Sequence, residues 1–232
     1  MQGVVFLGDR KIEFMDFPDP EPGPDEVVLE IKASGMCGSD LKFYRVVGGA
    51  AALGLGGDGS PVIAGHEPCG VVAEIGSAVD GDQVRVGQRV MVHHYKGCGH
   101  CGHCQDGWGQ LCREGVVVYG ATGHGAHARY MKVPVSTLVR LPDTLSFAAG
   151  AAISCGTSTA YGALGRLRLS AGDTIAIFGQ GPVGLSATQL AAAMGARVFA
   201  LDVSTERLAR AEAFGADALI DPAAEDAVER IR

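Results

Sequence analysis

The stretch "DTIAIFGQGPVGLSATQLAAAMGARVFALDVS", residues 173–204, alternates a short apolar run, a glycine-rich turn, a longer alanine-rich run and a second apolar run. The apolar runs have the length of buried strands, and the segment between them has the length of a helix. Pro182 suits a first helical turn, and Ser204 suits a helix N-cap. Gly195 and Gly215 suit helix ends. The alternation predicts a parallel sheet covered by helices.

The turn after the first of these strands has the pattern G-x-G-x-x-G. The pattern is weak alone, but between a strand and a helix it has a mechanism. Gly179 permits the tight turn, Gly181 lets backbone amides approach a pyrophosphate, and Gly184 brings the helix close to the strand. The helix N-terminus adds partial positive charge. The predicted cofactor-binding residues of this turn are Gly179, Gly181, Pro182, Val183 and Gly184.

Asp202 ends the second predicted strand, eighteen residues after Gly184. A carboxylate there accepts hydrogen bonds from an adenosine ribose and repels a 2′-phosphate. The position therefore favours NAD over NADP. The alternative is an acidic loop residue without a ligand.

The segment "GCGHCGHCQDGWGQLC", residues 97–112, places four cysteines in the spacing C-x2-C-x2-C-x7-C. Four thiolates at such spacing close a tetrahedron around zinc and leave no open position. An iron–sulfur cluster uses similar spacing, but typically with a further proline or a second cysteine set. An unmetallated thiol cluster is the other alternative. We predict a structural zinc site, whose ligands are Cys98, Cys101, Cys104 and Cys112.

Three further segments carry metal-ligating side chains: "SGMCGSD" with Cys37, "GHEPCG" with His66 and Glu67, and "ISCGTSTAYG" with Cys155. Each residue alone is explained as a small core residue or a satisfied polar group. Together they form a Cys/His/Cys set that leaves a fourth zinc position open for water or substrate.

Composition narrows the class of protein. The chain has 232 residues, of which 47% are hydrophobic, and a formal net charge of −7. This is a globular profile that disfavours nucleic acid or an anionic membrane as a partner. The sequence shows no signal-peptide pattern and no apolar run of about 18 residues. We predict a cytoplasmic location, and thiols stay reduced in that compartment.

The first 145 or so residues are β-rich. We predict a hairpin over residues 4–15 with its turn at Gly8-Asp9, and a glycine-rich surface loop over residues 46–61. Further strands are predicted over residues 26–33, 70–76 and 87–94. Cys69 is predicted to be a buried free thiol. We assign no site to His93 or His94, because adjacent strand residues point to opposite faces.

These motifs, in this order and at these separations, resemble the zinc-dependent medium-chain alcohol dehydrogenases, in particular the branch with threonine and polyol (iditol-like) dehydrogenases. The resemblance implies an α/β plus β architecture: a GroES-like catalytic domain over residues 1–146, then a partial Rossmann domain, a doubly wound parallel sheet, over residues 147–232. It implies one catalytic zinc between the domains, one structural zinc, and NAD.

The resemblance also implies roles for individual residues. Cys37, His66 and Cys155 would hold the catalytic zinc, with Glu67 able to approach it. Asp40 would hydrogen-bond the zinc-binding histidine, which orients the ring. Two further positions are implied: Ser39 would take the proton of the alcohol, and Thr159 would line the nicotinamide pocket.

The implied reaction transfers a hydride from a small alcohol or polyol, secondary or threonine-like, to NAD. The family is longer, so we expect a truncated chain in which residues 174–178 have an unpaired edge and Asp221 caps a last helix. Homo-oligomers are expected of a complete chain. The alternative is an inactive zinc-binding fragment that acts only by partner association. A zinc-free quinone reductase disagrees with the cysteines.

Overall fold

A computed structural model describes residues 1–55 and 60–232, and it divides the chain into two compact units, Met1–Cys155 and Gly156–Arg232. The domain boundary expected at residues 146 and 147 stays a prediction. In the described ranges no helix is both long and apolar enough to cross a lipid bilayer.

The first unit contains nine strands and three α-helices in its described residues, besides short 3-10 helical turns. The strands are β1 (Gln2–Gly8), β2 (Lys11–Asp16), β3 (Glu26–Gly35), β4 (Glu67–Ile75), β5 (Arg89–Val92), β6 (Tyr95–Lys96), β7 (Val117–Val118), β8 (Tyr130–Pro134) and β9 (Leu138–Arg140). The helices are α1 (Gly38–Arg45), α2 (Gly102–Gln105) and α3 (Phe147–Ala152), followed by a π-helical turn (Ile153–Thr157) that reaches into the second unit.

The second unit contains three strands and four helices. The strands are β10 (Thr174–Phe178), β11 (Arg197–Leu201) and β12 (Ala218–Ile220). The helices are α4 (Ser158–Leu167), α5 (Pro182–Ala193), α6 (Thr205–Ala213) and α7 (Ala227–Ile231).

The first unit is built on a five-stranded antiparallel sheet with the order β8-β3-β4-β5-β9. Val27 and Leu29 alternate along β3 and are fully buried against Val72 and Met131 from neighbouring strands. Because strand residues two apart share a face, Val27 and Leu29 place this cluster on one face of the sheet, and the buried Val28 between them points to the other face. The prediction of a β-rich first part of the chain is confirmed.

Helix α3 packs against β3 and β4 of the first unit. Ala151 on this helix is buried in one cluster with Cys69, Met91 and Leu141. The buried Cys69 thiol is free, as predicted. The Arg89 guanidinium on β5 donates to backbone carbonyls of the segment that leads into this helix.

The second unit is a parallel sheet with the order β10-β11-β12, and β10 lies at one edge of it. Its core joins Ile177 and Val198 on the strands to Leu164 and Ala191 on helices. The predicted alternation of strands and helices in a parallel sheet is confirmed.

Helix ends follow the local signals in most places. Pro182 opens α5, and the Ser204 side chain accepts from the Arg207 N–H at the start of α6. Gly195 and Gly215 follow their helices with φ of 85° and 97°. These predictions are confirmed.

Three local predictions need correction or fall partly outside the described residues. The first turn lies at Asp9-Arg10, one residue later than predicted, because both residues take positive φ. Asp221 does not cap a helix; its side chain accepts from the Ala223 N–H in a turn, and Asp226 caps α7. The loop predicted over residues 46–61 includes residues 56–59, which lie outside the described residues.

Two glycines in helices give a matched test of the packing. A Cβ at Gly184 would overlap the Gly179 carbonyl oxygen, whereas a Cβ at Gly162 on α4 meets nothing within 4 Å. We expect Gly184→Ala to lower the free energy of unfolding by about 1–3 kcal/mol through overpacking. We expect Gly162→Ala to raise it by about 0.5–1 kcal/mol, because alanine loses less backbone entropy than glycine in a helix. Denaturant unfolding followed by circular dichroism measures both free energies. Changes of the same sign in the two variants would contradict the packing described for Gly184 and Gly162.

Candidate functional site

The four cysteines of residues 97–112 converge. Their sulfurs all lie within 4.8 Å of one another. The Cys98 and Cys104 sulfurs are 3.9 Å apart, as are those of Cys101 and Cys112. A tetrahedral zinc site with Zn–S bonds of about 2.3 Å requires sulfur separations of about 3.8 Å. The donor set therefore fits zinc.

The backbone of this cysteine lobe shapes the sulfur cluster. The Cys98 N–H donates to the Cys112 sulfur, and the Cys101 N–H donates to the Cys98 sulfur. Backbone N–H groups of Arg113 and Cys104 lower the pKa of Cys101 to about 6. Hydrogen bonds of this kind favour the thiolate, the form that binds metal.

An exposed pair borders the lobe. The His100 Nε2 atom lies 3.5 Å from the Glu114 carboxylate, and both side chains are near the Cys98 sulfur. Because this group shares Cys98 with the four sulfurs, it belongs to the edge of the same site.

Cys37, His66, Glu67 and Cys155 form a second convergent set, with one ligand atom of each within 4.8 Å of the others. Cys37 is the N-cap of α1, Glu67 is the first residue of β4, and Cys155 lies in the π-helical turn. The π-helix often occurs at functional sites, because its wider turn redirects side chains. Three distant segments of one unit therefore place two sulfurs, an imidazole and a carboxylate together.

Asp40 orients two members of this set, His66 and Cys37, by hydrogen bonds. Its side chain is fully buried, and its Oδ1 lies 3.1 Å from the His66 Nδ1. The other ring nitrogen, Nε2, lies 3.0 Å from the Cys37 sulfur. The Cys37 N–H also donates to the Asp40 Oδ2 at 2.9 Å. A histidine held by a carboxylate through one nitrogen presents the other to a metal, so the donor set and its support fit zinc.

The pKa values of two residues of this set, Cys37 and His66, are shifted strongly. The hydrogen bond from the Cys155 thiol, assisted by His66 and the Ser39 N–H, lowers the pKa of Cys37 to about 3. Burial opposes a charge on His66, but hydrogen bonds to Asp40 and Cys37 outweigh it and raise the pKa of His66 to about 10. An anionic sulfur therefore faces a cationic ring, and the His66 proton must leave before Nε2 binds a cation.

Glu67 is buried beside the ligand set, with an exposed fraction of 7%. Burial, followed by the negative charge on Cys37, raises the pKa of Glu67. The approach of Glu67 depends on Gly35 across the sheet, because a Cβ at Gly35 would overlap the Glu67 carboxylate. The carboxylate thus lies near the sulfurs in a form that readily accepts a proton.

Sequence reasoning missed two aromatic neighbours of this set. The His94 ring stacks edge-on against the His66 ring at 5.0 Å, and the Tyr95 ring lies 4.2 Å from that of His94. Burial, followed by the positive charge of His66, lowers the pKa of His94 to about 4. The strand predicted over residues 87–94 ends at Val92, so His93 and His94 lie beyond it and strand alternation does not apply to them. The sequence therefore carried no signal for this contact.

The glycine-rich turn has the geometry that each glycine was predicted to allow. Gly179 has a φ of 84°, and a Cβ at Gly184 would overlap the Gly179 carbonyl oxygen. A Cβ at Gly181 would meet nothing within 4 Å, so the turn is open at the start of α5. An open backbone at a helix N-terminus fits a pyrophosphate.

Asp202 follows β11 and faces this turn. Its Oδ2 accepts from the Gln180 N–H at 2.7 Å, and its Oδ1 accepts from the Ser204 N–H at 2.9 Å. These two N–H groups, with a smaller contribution from Arg207 at 3.6 Å, lower the pKa of Asp202. The carboxylate is therefore anionic, as contact with ribose hydroxyls requires.

Two other predicted residues are exposed. Ser39 lies in the first turn of α1, where its N–H donates to the Cys37 sulfur at 3.3 Å. Thr159 lies in the first turn of α4 in the second unit. The structure brings Ser39 close to the ligand set and leaves the role of Thr159 a prediction.

Two family models match the chain. The model "Alcohol dehydrogenase GroES-like domain" matches residues 23–143, more than half of the chain. The model "Zinc-binding dehydrogenase" matches residues 182–232. The first match contains the four-cysteine lobe, and the second begins at the first residue of α5.

Known proteins match along nearly the whole chain. Sorbitol dehydrogenase of Bacillus subtilis is 36% identical over 233 residues, which covers 100% of this chain and 64% of that protein. A structure from Sinorhizobium meliloti 1021, named as a zinc-binding dehydrogenase bound to NADP, is 33% identical with a TM-score of 0.85, covering 98% of this chain and 64% of that one.

Acetophenone reductase from Geotrichum candidum, in complex with NAD, is 33% identical with a TM-score of 0.82, covering 94% of this chain and 62% of that one. The chain thus spans 62% to 64% of the length of these three proteins. Matched by family model, by sequence and by fold, the chain belongs to the zinc-dependent medium-chain alcohol dehydrogenase family.

Proposed function

We propose that this protein oxidises a small alcohol or polyol and transfers the hydride to NAD, with one zinc ion at the reacting centre and a second in the cysteine lobe. The single observation that carries the proposal is the convergence of Cys37, His66, Glu67 and Cys155. The lobe alone would support only a structural metal site, because four sulfurs leave no position for a substrate.

We assign the catalytic zinc to Cys37, His66 and Cys155. The chemistry that zinc supplies in such a site is Lewis acidity towards an alcohol oxygen. Asp40 keeps the His66 Nε2 turned towards the sulfurs by holding Nδ1. Glu67 offers a nearby carboxylate whose raised pKa lets it hold a proton or stand in as a ligand.

Proton removal is assigned to Ser39. Its hydroxyl is on an exposed residue two positions after Cys37, at the N-terminus of α1. A hydroxyl can accept a proton from the alcohol while it donates its own to water. Lys42, on the next turn of the same helix, does not extend this path, because a lysine ammonium has no acceptor.

The binding site for NAD, the hydride acceptor, is assigned to the glycine-rich turn. The open backbone at Gly181 and the N-terminus of α5 would receive the pyrophosphate, and Asp202 would accept from the adenosine ribose. The charge of Asp202 favours NAD, although one matched structure is bound to NADP. Thr159 is assigned to the nicotinamide side of this site.

A polyol is the favoured substrate class because the sorbitol dehydrogenase match extends over the whole chain. Neither the matched relatives nor the geometry favours the alternative of an inactive zinc-binding fragment. Homo-oligomerisation and a cytoplasmic location remain predictions.

Zinc content separates the two metal sites. We expect two zinc ions per chain in the wild type and one in Cys37→Ala, with turnover abolished, because Cys37 belongs only to the second set. Cys69→Ala is the matched control: this buried thiol is a member of neither group, so its loss leaves two ions. Mass spectrometry of purified protein counts the metal, and a polyol screen with NAD measures turnover.

A wild type with one zinc per chain would contradict the two-metal proposal. Cys104→Ser should show the complementary loss, with the lobe ion removed and the second ion retained. Retention of both ions in Cys37→Ala would show that its sulfur is not a ligand.

Cofactor choice tests Asp202. We expect Asp202→Asn to lower the preference for NADH over NADPH by about tenfold, because the charge that repels a 2′-phosphate is removed. Asp217→Asn is the matched control, since Asp217 also accepts from a backbone N–H of the sheet, that of Val198 at 2.7 Å. Titration of nucleotide fluorescence gives both Kd values; an unchanged ratio in Asp202→Asn would remove Asp202 from the ribose site.

A further inference from the structure

A buried polar chain runs beneath the glycine-rich turn. The Gln180 side chain donates through Nε2 to the Ile177 carbonyl at 2.8 Å and accepts at Oε1 from the Thr188 hydroxyl at 3.0 Å. Gln180 and Thr188 both have an exposed fraction of 0%. The chain therefore connects the end of β10, the turn and the second helical turn of α5 without contact with solvent.

Both ends of the amide are satisfied in only one orientation. The Ile177 carbonyl can only accept, so it must meet the NH2 group, and the Thr188 hydroxyl is then left to donate to the amide oxygen. A fully satisfied buried network of this kind fixes its members rigidly. We call Gln180 and Thr188, with these two hydrogen bonds, the amide brace.

The position of Gln180 explains why the turn needs such a brace. Gly179 and Gly181 flank it, and glycine leaves the backbone more conformational freedom than any other residue. The open space at Gly181 adds no packing contact to restrain the turn. The side chain of Gln180 thus anchors the backbone between these two glycines, in addition to the Gly179 N–H, which donates to the Leu201 carbonyl at 2.7 Å.

The same residue controls the Asp202 carboxylate through its backbone. The Gln180 N–H donates to Oδ2 at 2.7 Å, while the Ser204 N–H holds Oδ1. Each carboxylate oxygen retains a further acceptor site, because a carboxylate has about four lone-pair sites. A shift of the turn at Gln180 would therefore turn the carboxylate as well as the phosphate-binding amides.

We infer that Gln180 and Thr188 are positioning residues for the dinucleotide: the amide brace fixes the turn, and through the Gln180 N–H it fixes Asp202 for ribose recognition. The inference rests on the proposed function, since it presumes that the turn binds a nicotinamide dinucleotide. An apolar pair of the same size would fill the space equally well, but it would leave the turn free to move.

The test compares variants that keep the shape and remove the hydrogen bonds. Gln180→Met removes both bonds, and Thr188→Val removes one. Thr188→Ser keeps the hydroxyl, and Thr174→Val makes the same change as Thr188→Val on an exposed residue of β10. Kd values for NADH and NADPH are measured by fluorescence on the full chain, with zinc content and melting temperature recorded for each variant.

We expect Thr188→Val to raise the Kd for NADH by about three- to tenfold, the equivalent of one hydrogen bond, and Gln180→Met, which removes both bonds, to raise it by at least as much. We also expect a lower ratio of NADPH to NADH Kd, because a loosened Asp202 discriminates less well. Thr188→Ser and Thr174→Val should keep the wild-type values, and all variants should keep their zinc. A general loss of stability would not change the ratio of the two Kd values.

Each possible result either supports or overturns the inference. If Thr188→Val and Gln180→Met still bind NADH and keep the wild-type ratio of NADPH to NADH Kd, the positioning role of the amide brace is wrong, but the proposed cofactor stands. If Gln180→Met does not fold, Thr188→Val decides, because it removes a single donor from an otherwise intact helix. A wild type that binds neither nucleotide would overturn the proposed cofactor, and the brace with it.

Discussion

The buried carboxylate of Asp40 is the constraint on which the second ligand set depends. A buried charge is costly unless its oxygens are hydrogen-bonded, and Asp40 meets this demand with the Cys37 N–H and the His66 Nδ1. These bonds tie the start of α1 to the residue before β4. The loss of one partner would leave a buried charge unpaired, at a cost of about 3–5 kcal/mol. The sulfur and the imidazole are thus brought together by a requirement of folding itself.

Local signals in the sequence predicted local structure well. Pro182, Ser204 and the glycines of the turn act through bonds to residues only a few positions away, so their pattern is sufficient. The bonds from Arg89 to the Pro142 carbonyl and its neighbours were beyond this reasoning, because they join residues more than fifty positions apart.

The candidate site shows the same limit. The four-cysteine lobe could be predicted from the sequence as a zinc site, because its four cysteines lie within sixteen residues of one another. Cys37, His66 and Cys155 were grouped by their ligand types and were assigned to one zinc ion by the resemblance, since no spacing rule joins segments so far apart. The contact of His94 with His66 and the bond between Gln180 and Thr188 were missed, because each depends on which face of an element is buried. Such contacts become visible only when the neighbouring elements are in place.

Charge explains why two sites built largely from cysteine differ in what they can do. The lobe offers four thiolates, whose negative charge exceeds that of a zinc ion and saturates its coordination. With zinc bound, Cys37 and Cys155 would supply two thiolates and His66 a neutral ring, which would balance the same ion and leave a coordination position. His66 and Glu67 are also buried, and a charge acts more strongly there than at the surface. The number of thiolates and the burial of His66 and Glu67 therefore support the proposal that the second set, and not the lobe, would polarise an alcohol.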